Sequence, residues 1–184
     1  MGNILGPEQH GHMMAVGYDM YCKLLEEVVK ELKGEEVEER VEPKINLAVA
    51  AYLPDDYVPD SSQKVALYKK IAQISNDEEN ADMIEELEDR YGKLPSPVHR
   101  LLAVAEIKRL AQKLGVSEIV SSDSAVKISF DMEQAAVKPQ KVVEMVKNRR
   151  RTKLIPPAQL MIETEGVGQD RQLRTIKNAL QQLA

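Results

Sequence analysis

Apolar residues recur at steps of three and four along much of this chain, and glycine or proline interrupts the pattern between stretches. Such spacing gives each stretch one apolar stripe and predicts amphipathic helices. The chain has no Trp and one Phe, so its core has to be built from aliphatic side chains, which favours helices further. Six stretches carry the pattern: about 16–33, 61–74, 77–91, 97–114, 139–148 and 169–183.

Shorter apolar runs between these stretches predict strands. INLAVAAYL, at 45–53, lies between two prolines; EIVSS and AVKISFD flank a tight turn at 122–124; LIPPAQLMIET supplies at least one further strand. About four short strands among six helices indicate an α+β fold in which several helices pack on a small sheet. We predict an N-terminal helical extension with an acidic linker, residues 1–43, and a main domain, residues 44–184.

Charge is divided unevenly along the chain. Residues 1–95 carry 10 Lys and Arg against 21 Asp and Glu, whereas residues 96–184 carry 15 against 9. An acidic first half repels the phosphates of nucleic acid and suits a basic protein partner.

The sequence favours a cytoplasmic location. A single cysteine, Cys22, excludes an intrachain disulfide and fits a reducing compartment. No secretion leader is visible at the N-terminus, and no apolar run approaches the roughly 20 residues that cross a bilayer. We therefore expect no membrane association.

Catalytic motifs are missing from the sequence. There is no GxxxxGK[ST] phosphate loop, and the acidic run at 77–80 lacks the apolar strand that must precede a magnesium-binding carboxylate. His10 and His12 are too few to hold a metal, and His99 lies on a predicted helix. We expect no catalytic residues, no metal and no cofactor in this chain.

Two charged clusters remain as candidate binding surfaces. A basic cluster follows the helix predicted at 139–148, and it either contacts phosphate or is a solvated helix end stabilised by the macrodipole; the second reading is favoured. Its members are Lys147, Arg149, Arg150, Arg151 and Lys153.

The second cluster lies on the helix predicted after Asn80. Helical periodicity places Asp82, Glu86 and Asp89 on one side and the apolar residues Ile84, Leu87 and Tyr91 on the other. A row of carboxylates is either merely solvated or a docking face for arginines, whose planar guanidinium can bind a carboxylate at two points.

Long runs of the sequence resemble one bacterial family. GNILGPEQHGHMMAVGYDMYCKLLEEVVKELKG, LPDDYVPDSSQKVALYKKIA and EELEDRYGKLPSPVHRLLAVAEIKRLAQKLGV follow one another as they do in the C-terminal region of transcription-repair coupling factors, the Mfd family. The resemblance covers essentially the whole chain and weakens after about residue 120.

The resemblance implies what the parent protein does. Members of the family are DNA translocases, driven by ATP and Mg²⁺, that remove stalled RNA polymerase from double-stranded DNA and recruit the repair protein UvrA. The first residues of this chain resemble the end of the translocation motif, with Gln9 at the motif glutamine and Gly6 and Gly11 beside it. The motif's arginine would precede Met1, and no ATPase motif is present, so we expect no enzymatic activity from this chain.

The rest of the chain resembles the family's C-terminal regulatory domain. In the family this domain folds back on a UvrB-like N-terminal module and masks the surface that binds UvrA. The motif ELxDR[YF]G assigns the contact carboxylates to Glu86 and Asp89, and Asp82 shares their predicted face. Two alternatives are an accessory nucleic-acid-binding module that uses the basic second half, and a free-standing enzyme.

Overall fold

The computed structural model describes residues 42–184, which divide into two compact units. The first consists of Val49–Ala105, and the second of residues 42–48 together with Glu106–Ala184. The helix predicted at 16–33, most of the acidic linker and the translocation-motif residues Gly6, Gln9 and Gly11 lie outside the described residues. The boundary predicted at residues 43–44 therefore stays a prediction.

Helices α1 (Ser61–Gln73) and α2 (Asp77–Tyr91) form most of the first unit, together with the beginning of α3 (Ser96–Leu114). Each of these two helices begins directly after a residue whose side chain caps it. The Asp60 carboxylate accepts a hydrogen bond from the backbone N–H of Gln63 at 2.9 Å, and the Asn76 side chain accepts one from Glu79 at 2.8 Å. Each cap satisfies one of the backbone donors that a helix leaves unpaired at its first turn.

The core of the first unit is aliphatic, as the composition predicts. Its buried polar groups include Lys64, which is paired with Asp55, and the hydroxyl of Tyr68, which accepts a hydrogen bond from the backbone N–H of Leu53 at 2.9 Å. Burial raises the pKa of the Tyr68 phenol, because the ionised form is disfavoured away from water. Apolar side chains buried in this unit include Leu67, Ile71, Met83, Leu87, Leu94, Val98, Leu101 and Leu102.

The strand predicted at 45–53 is too long. Only Lys44–Asn46 forms a strand, β1. Beyond it Tyr52 N–H donates to the Pro97 carbonyl at 3.2 Å, and Leu53 N–H donates to Tyr68. The segment bends at Val49 and Tyr52 and buries alternate residues, Val49 and Ala51 among them. Its amides bond singly to separate groups, so no strand ladder forms.

A mixed five-stranded sheet lies in the second unit, in the order β1-β2-β3-β5-β4. β1 pairs in parallel with β2, and every other pairing is antiparallel. The LIPPAQLMIET run, predicted to supply at least one strand, contributes to two, and the sheet described for residues 42–184 has five strands where about four were predicted. The remaining strands are β2 (Val116–Ser121), β3 (Ala125–Phe130), β4 (Thr152–Ile155) and β5 (Gln159–Glu163).

Alternate sheet residues face the core of the second unit. Val126 and Ile128 on β3 are fully buried, whereas Lys127 between them is exposed. Helices α4 (Pro139–Asn148) and α5 (Gln169–Leu183) have the bounds that periodicity predicts. The α+β fold is thereby confirmed, and no helix among residues 42–184 is long and apolar enough to cross a membrane.

Helix α5 is held to the sheet by polar as well as apolar contacts. Gln172 Nε2 donates to the Ser122 carbonyl and to Thr164 Oγ1, each at 3.2 Å. Lys177 forms an ion pair of 3.0 Å with Glu106. The apolar stripe predicted for this helix is buried: Leu173, Ile176, Leu180 and Leu183.

Candidate functional site

The outer side of α2 is acidic, as its periodicity predicts. Met83 and Leu87 are buried, and Asp82 and Asp89 are exposed. With about 3.6 residues per turn, the arc opposite the buried pair holds four carboxylates, all of them exposed. We refer to these four residues, Glu78, Asp82, Glu85 and Asp89, as the acidic stripe. Glu78 and Glu85 are not among the residues predicted from the sequence, although the same helical periodicity places them on this face.

The stripe offers unneutralised charge. Among residues 42–184 no cation lies within salt-bridge distance of Asp82, Glu85 or Asp89. Carboxylates in this state can accept hydrogen bonds from an incoming guanidinium without first giving up a partner.

Glu86 differs from the stripe. Its Oε1 accepts hydrogen bonds from Lys70 Nζ at 2.9 Å and from Arg90 Nη1 at 3.3 Å, and its side chain is 32% exposed. The hydrogen bond from Lys70 lowers the pKa of the Glu86 carboxyl, with Arg90 contributing less. Glu86 is therefore less open to a partner than Asp89. Glu86 lies on the flank of α2 that Lys70 of α1 can reach.

A further guanidinium can still reach Glu86. Oε2 has no hydrogen-bond partner among the described residues, since both contacts are made by Oε1. The role of Glu86 in partner binding stays a prediction, and it would be a shared contact rather than an exclusive one.

Aromatic residues fix the C-terminal end of α2. The Arg90 guanidinium carbon lies 5.1 Å from the centroid of the Tyr91 ring, and that ring lies 5.6 Å from the ring of Tyr57. The Tyr57 hydroxyl donates to the carbonyl oxygens of Gly92 at 2.8 Å and Leu87 at 3.1 Å. Burial raises the pKa of Tyr57, with the Glu88 charge as a second cause. The ELEDRYG segment therefore carries charge and also forms a helix end that is stabilised by aromatic and hydrogen-bond contacts.

The other candidates from the sequence have structural explanations. Glu79 Oε2 accepts hydrogen bonds from the backbone N–H of Ser75 at 2.7 Å and from its hydroxyl at 3.0 Å, so the acidic run at 77–80 closes the first turn of α2. His99 is exposed on α3. Among residues 42–184 no group of His, Cys, Asp and Glu could hold a metal ion.

Fold and surface together define a class: a small α+β domain with a mixed five-stranded sheet and an acidic helix face. The crystal structure of the C-terminal domain of a transcription-repair coupling factor has the same fold, with a TM-score of 0.70 and 24% identity, over 78% of this chain and 94% of that one. The sequence model of the TRCF domain matches residues 47–142, slightly more than half of the chain. The chain belongs to the TRCF domain family.

Full-length relatives are similar over the same region. The transcription-repair-coupling factor of Bacillus subtilis is 35% identical over 146 residues, which are 78% of this chain and 12% of that protein. That of Rickettsia typhi is 39% identical over 131 residues, 70% of this chain and 12% of the relative. That of Myxococcus xanthus is 41% identical over 107 residues, 58% of this chain and 9% of the relative. This chain thus spans about 12% of the length of the Bacillus relative.

Proposed function

We propose that this chain is the regulatory C-terminal domain of a factor that couples transcription to nucleotide excision repair. In this proposal the acidic stripe and Glu86 dock on arginines of the UvrB-like N-terminal module and mask its UvrA-binding surface. The observation that carries the proposal is the row of exposed carboxylates opposite the buried side of α2, for three of which residues 42–184 supply no cation: Asp82, Glu85 and Asp89.

Weak contacts are sufficient for such a latch. An exposed ion pair contributes about 0–1 kcal/mol, so three or four of them hold a separate partner poorly. When both modules belong to one polypeptide, the tether raises their effective concentration to about the millimolar range. A contact that is weak on its own then closes in the resting protein and opens when another partner competes.

Glu86 keeps the stripe available. Its Oε1 accepts a hydrogen bond from Arg90, and Arg90 also lies over Tyr91, so this cation is held away from the exposed carboxylates. Glu86 therefore supports the docking face as well as contributing Oε2 to it.

Catalysis is assigned to other parts of the parent. We propose that ATP and Mg²⁺ bind the parent's motor, which acts on double-stranded DNA and RNA polymerase, whereas this chain hydrolyses nothing and needs no cofactor.

Charge reversal tests the latch in the full-length protein. Asp82→Lys, Glu85→Lys and Asp89→Lys together should raise the affinity for UvrA by roughly tenfold, because about 1.4 kcal/mol of masking is lost. The matched control is Glu144→Lys, an exposed carboxylate on α4. Surface plasmon resonance with immobilised UvrA measures both. Unchanged UvrA affinity in the triple variant would remove the stripe from the mechanism.

A further inference from the structure

The basic cluster borders a cavity of about 590 Å³ in the second unit. One wall is the segment that joins α4 to β4, and the other runs from the end of β5 into α5. Four arginines line it: three in succession, and a fourth from the first turn of α5. They are Arg149, Arg150, Arg151 and Arg171.

Three of these cations have no partner among residues 42–184. The guanidinium groups of Arg150, Arg151 and Arg171 make no hydrogen bond or ion pair within residues 42–184. Arg149 Nε donates to Gln182 Oε1 at 3.1 Å, which orients that guanidinium. Like charges are brought together here without an internal counter-ion, and such an arrangement favours an external anion.

The carboxylates of the lining do not cancel this charge. Glu163 accepts an ion pair from Lys153 at 3.1 Å, so it is already neutralised. Glu165 is exposed and leaves the balance of the lining positive.

An independent observation comes from Thr152. This residue lines the cavity and is 4% exposed, and its Oγ1 has no hydrogen-bond partner in the described part of the chain. Buried hydroxyl groups are nearly always hydrogen-bonded, so Thr152 Oγ1 is an unsatisfied polar group in a residue of the cavity wall. Thr175 Oγ1 in the same lining is already committed to the Arg171 carbonyl at 2.8 Å.

The start of α5 adds to the same field. Gly168 caps this 15-residue helix without a side-chain hydrogen bond, and Gly166 and Val167 line the cavity just before it. The N-terminal end of a helix carries partial positive charge and free N–H groups, which favours an anion nearby.

We infer that this cavity binds a phosphate group. Arginine forks match the geometry of phosphate oxygens, and a threonine hydroxyl can donate to one of them. The volume is within the range of small-ligand pockets and suits a phosphate carried by a nucleotide or by a nucleic-acid strand. The site lies apart from the acidic stripe in the chain, and it does not depend on the latch proposed above.

Binding is tested by titrating the ¹⁵N-labelled 184-residue chain at constant ionic strength with three probes: inorganic phosphate, ADP and a 12-base-pair DNA duplex. We expect amide shifts at 149–153 and 164–171. If phosphate and ADP bind with equal affinity and DNA binds weakly, the natural ligand of the cavity is a free phosphate. If DNA binds more tightly than the small probes, and the logarithm of its binding constant falls linearly with the logarithm of the salt concentration, the natural ligand is the phosphate backbone of a nucleic-acid strand. Absence of local shifts with all three probes at 10 mM overturns the site.

Matched variants separate the site from general positive charge. Arg150→Gln with Arg151→Gln should weaken the tightest probe by roughly tenfold or more, whereas Arg174→Gln, an exposed arginine of α5 outside the lining, should leave it unchanged. If the double variant and the Arg174→Gln control weaken binding of the probe equally, the inference is overturned.

Thr152→Val offers a second readout that survives if the arginine variant unfolds. Removal of an unsatisfied buried hydroxyl should raise the melting temperature of the free chain by roughly 2–4 °C and lower phosphate affinity. A variant that is more stable yet binds phosphate as tightly as before would also contradict the site.

Discussion

At the scale of single residues, Gly115 has both a left-handed backbone and too little space for a side chain. Its φ is +72°, and an added Cβ would lie 2.2 Å from the Gln134 carbonyl oxygen. The facing segment cannot retreat, because Asp131 N–H donates to the Gly115 carbonyl at 2.9 Å and Ala136 N–H to that of Leu114 at 3.0 Å. The sequence predicts that this glycine ends a helix. Only the structure shows how closely the backbone of Gln134 approaches it.

Gly115→Ala should lower the free energy of unfolding by roughly 2–5 kcal/mol, since left-handed strain adds to backbone overlap. Gly166→Ala is the matched control: its φ is +75°, but nothing lies within 4 Å of the added Cβ. That variant should lose only roughly 1–2 kcal/mol. Urea unfolding followed by circular dichroism measures both, and equal losses would show that the contact with Gln134 is relieved at no cost.

At the scale of secondary-structure elements, local signals predict the helices well and their partners poorly. The caps Asp60 and Asn76 and the bounds of α4 and α5 follow from neighbouring residues, and the sequence contains that information. Glu86 accepts its hydrogen bond from Lys70, sixteen positions away on another helix, and periodicity cannot show this.

The link between α1 and α2 predicts a measurable shift. Lys70→Met should raise the pKa of Glu86 toward its ordinary value, because Lys70 is the main cause of the lowering. Stability from a lowered carboxyl pKa is present above the unfolded-state pKa and is lost as pH falls through the folded-state pKa. The variant should therefore lose less stability on acidification than the parent chain, by under about 1 kcal/mol given the exposure of the pair.

Carboxyl ¹³C titration by NMR measures the Glu86 pKa directly. Arg90→Met is the comparison and should produce a smaller shift, since its hydrogen bond is longer, 3.3 Å against 2.9 Å. A larger shift in Arg90→Met than in Lys70→Met would reverse the assignment of cause.

At the scale of the whole molecule, the sequence identified the family and the acidic side of α2, but not the arginine-lined cavity. Arg151 and Arg171 are twenty positions apart and meet through the β4–β5 hairpin. The length of the strand predicted at 45–53 was wrong for a related reason. The run is apolar enough for a strand, but its backbone amides bond to groups as distant in sequence as Pro97. Apolar periodicity depends on residues close together in the sequence. The arginine-lined cavity and the hydrogen bonds of residues 45–53 depend on contacts between residues that are far apart in it.

The proposed latch also predicts how docking responds to salt. Affinity between this chain and a separately produced UvrB-like module should fall as NaCl rises from 50 to 500 mM, because screening shortens the reach of exposed charges. Titration calorimetry at several salt concentrations measures it, with the Asp82, Glu85 and Asp89 charge-reversal variant as control. Affinity that is independent of salt would point to an apolar interface instead.

The order of the sheet bears on how this domain can recruit other chains. The edge strand β4, at the opposite side of the sheet from β1, has four residues and is followed at once by Pro156 and Pro157, which lack amide hydrogens. A short border of this kind, carrying Lys153 and interrupted by proline, is a poor template for an added strand. Recognition at that end of the sheet is thereby left to side chains, and the domain can lie against other proteins there without backbone pairing between strands.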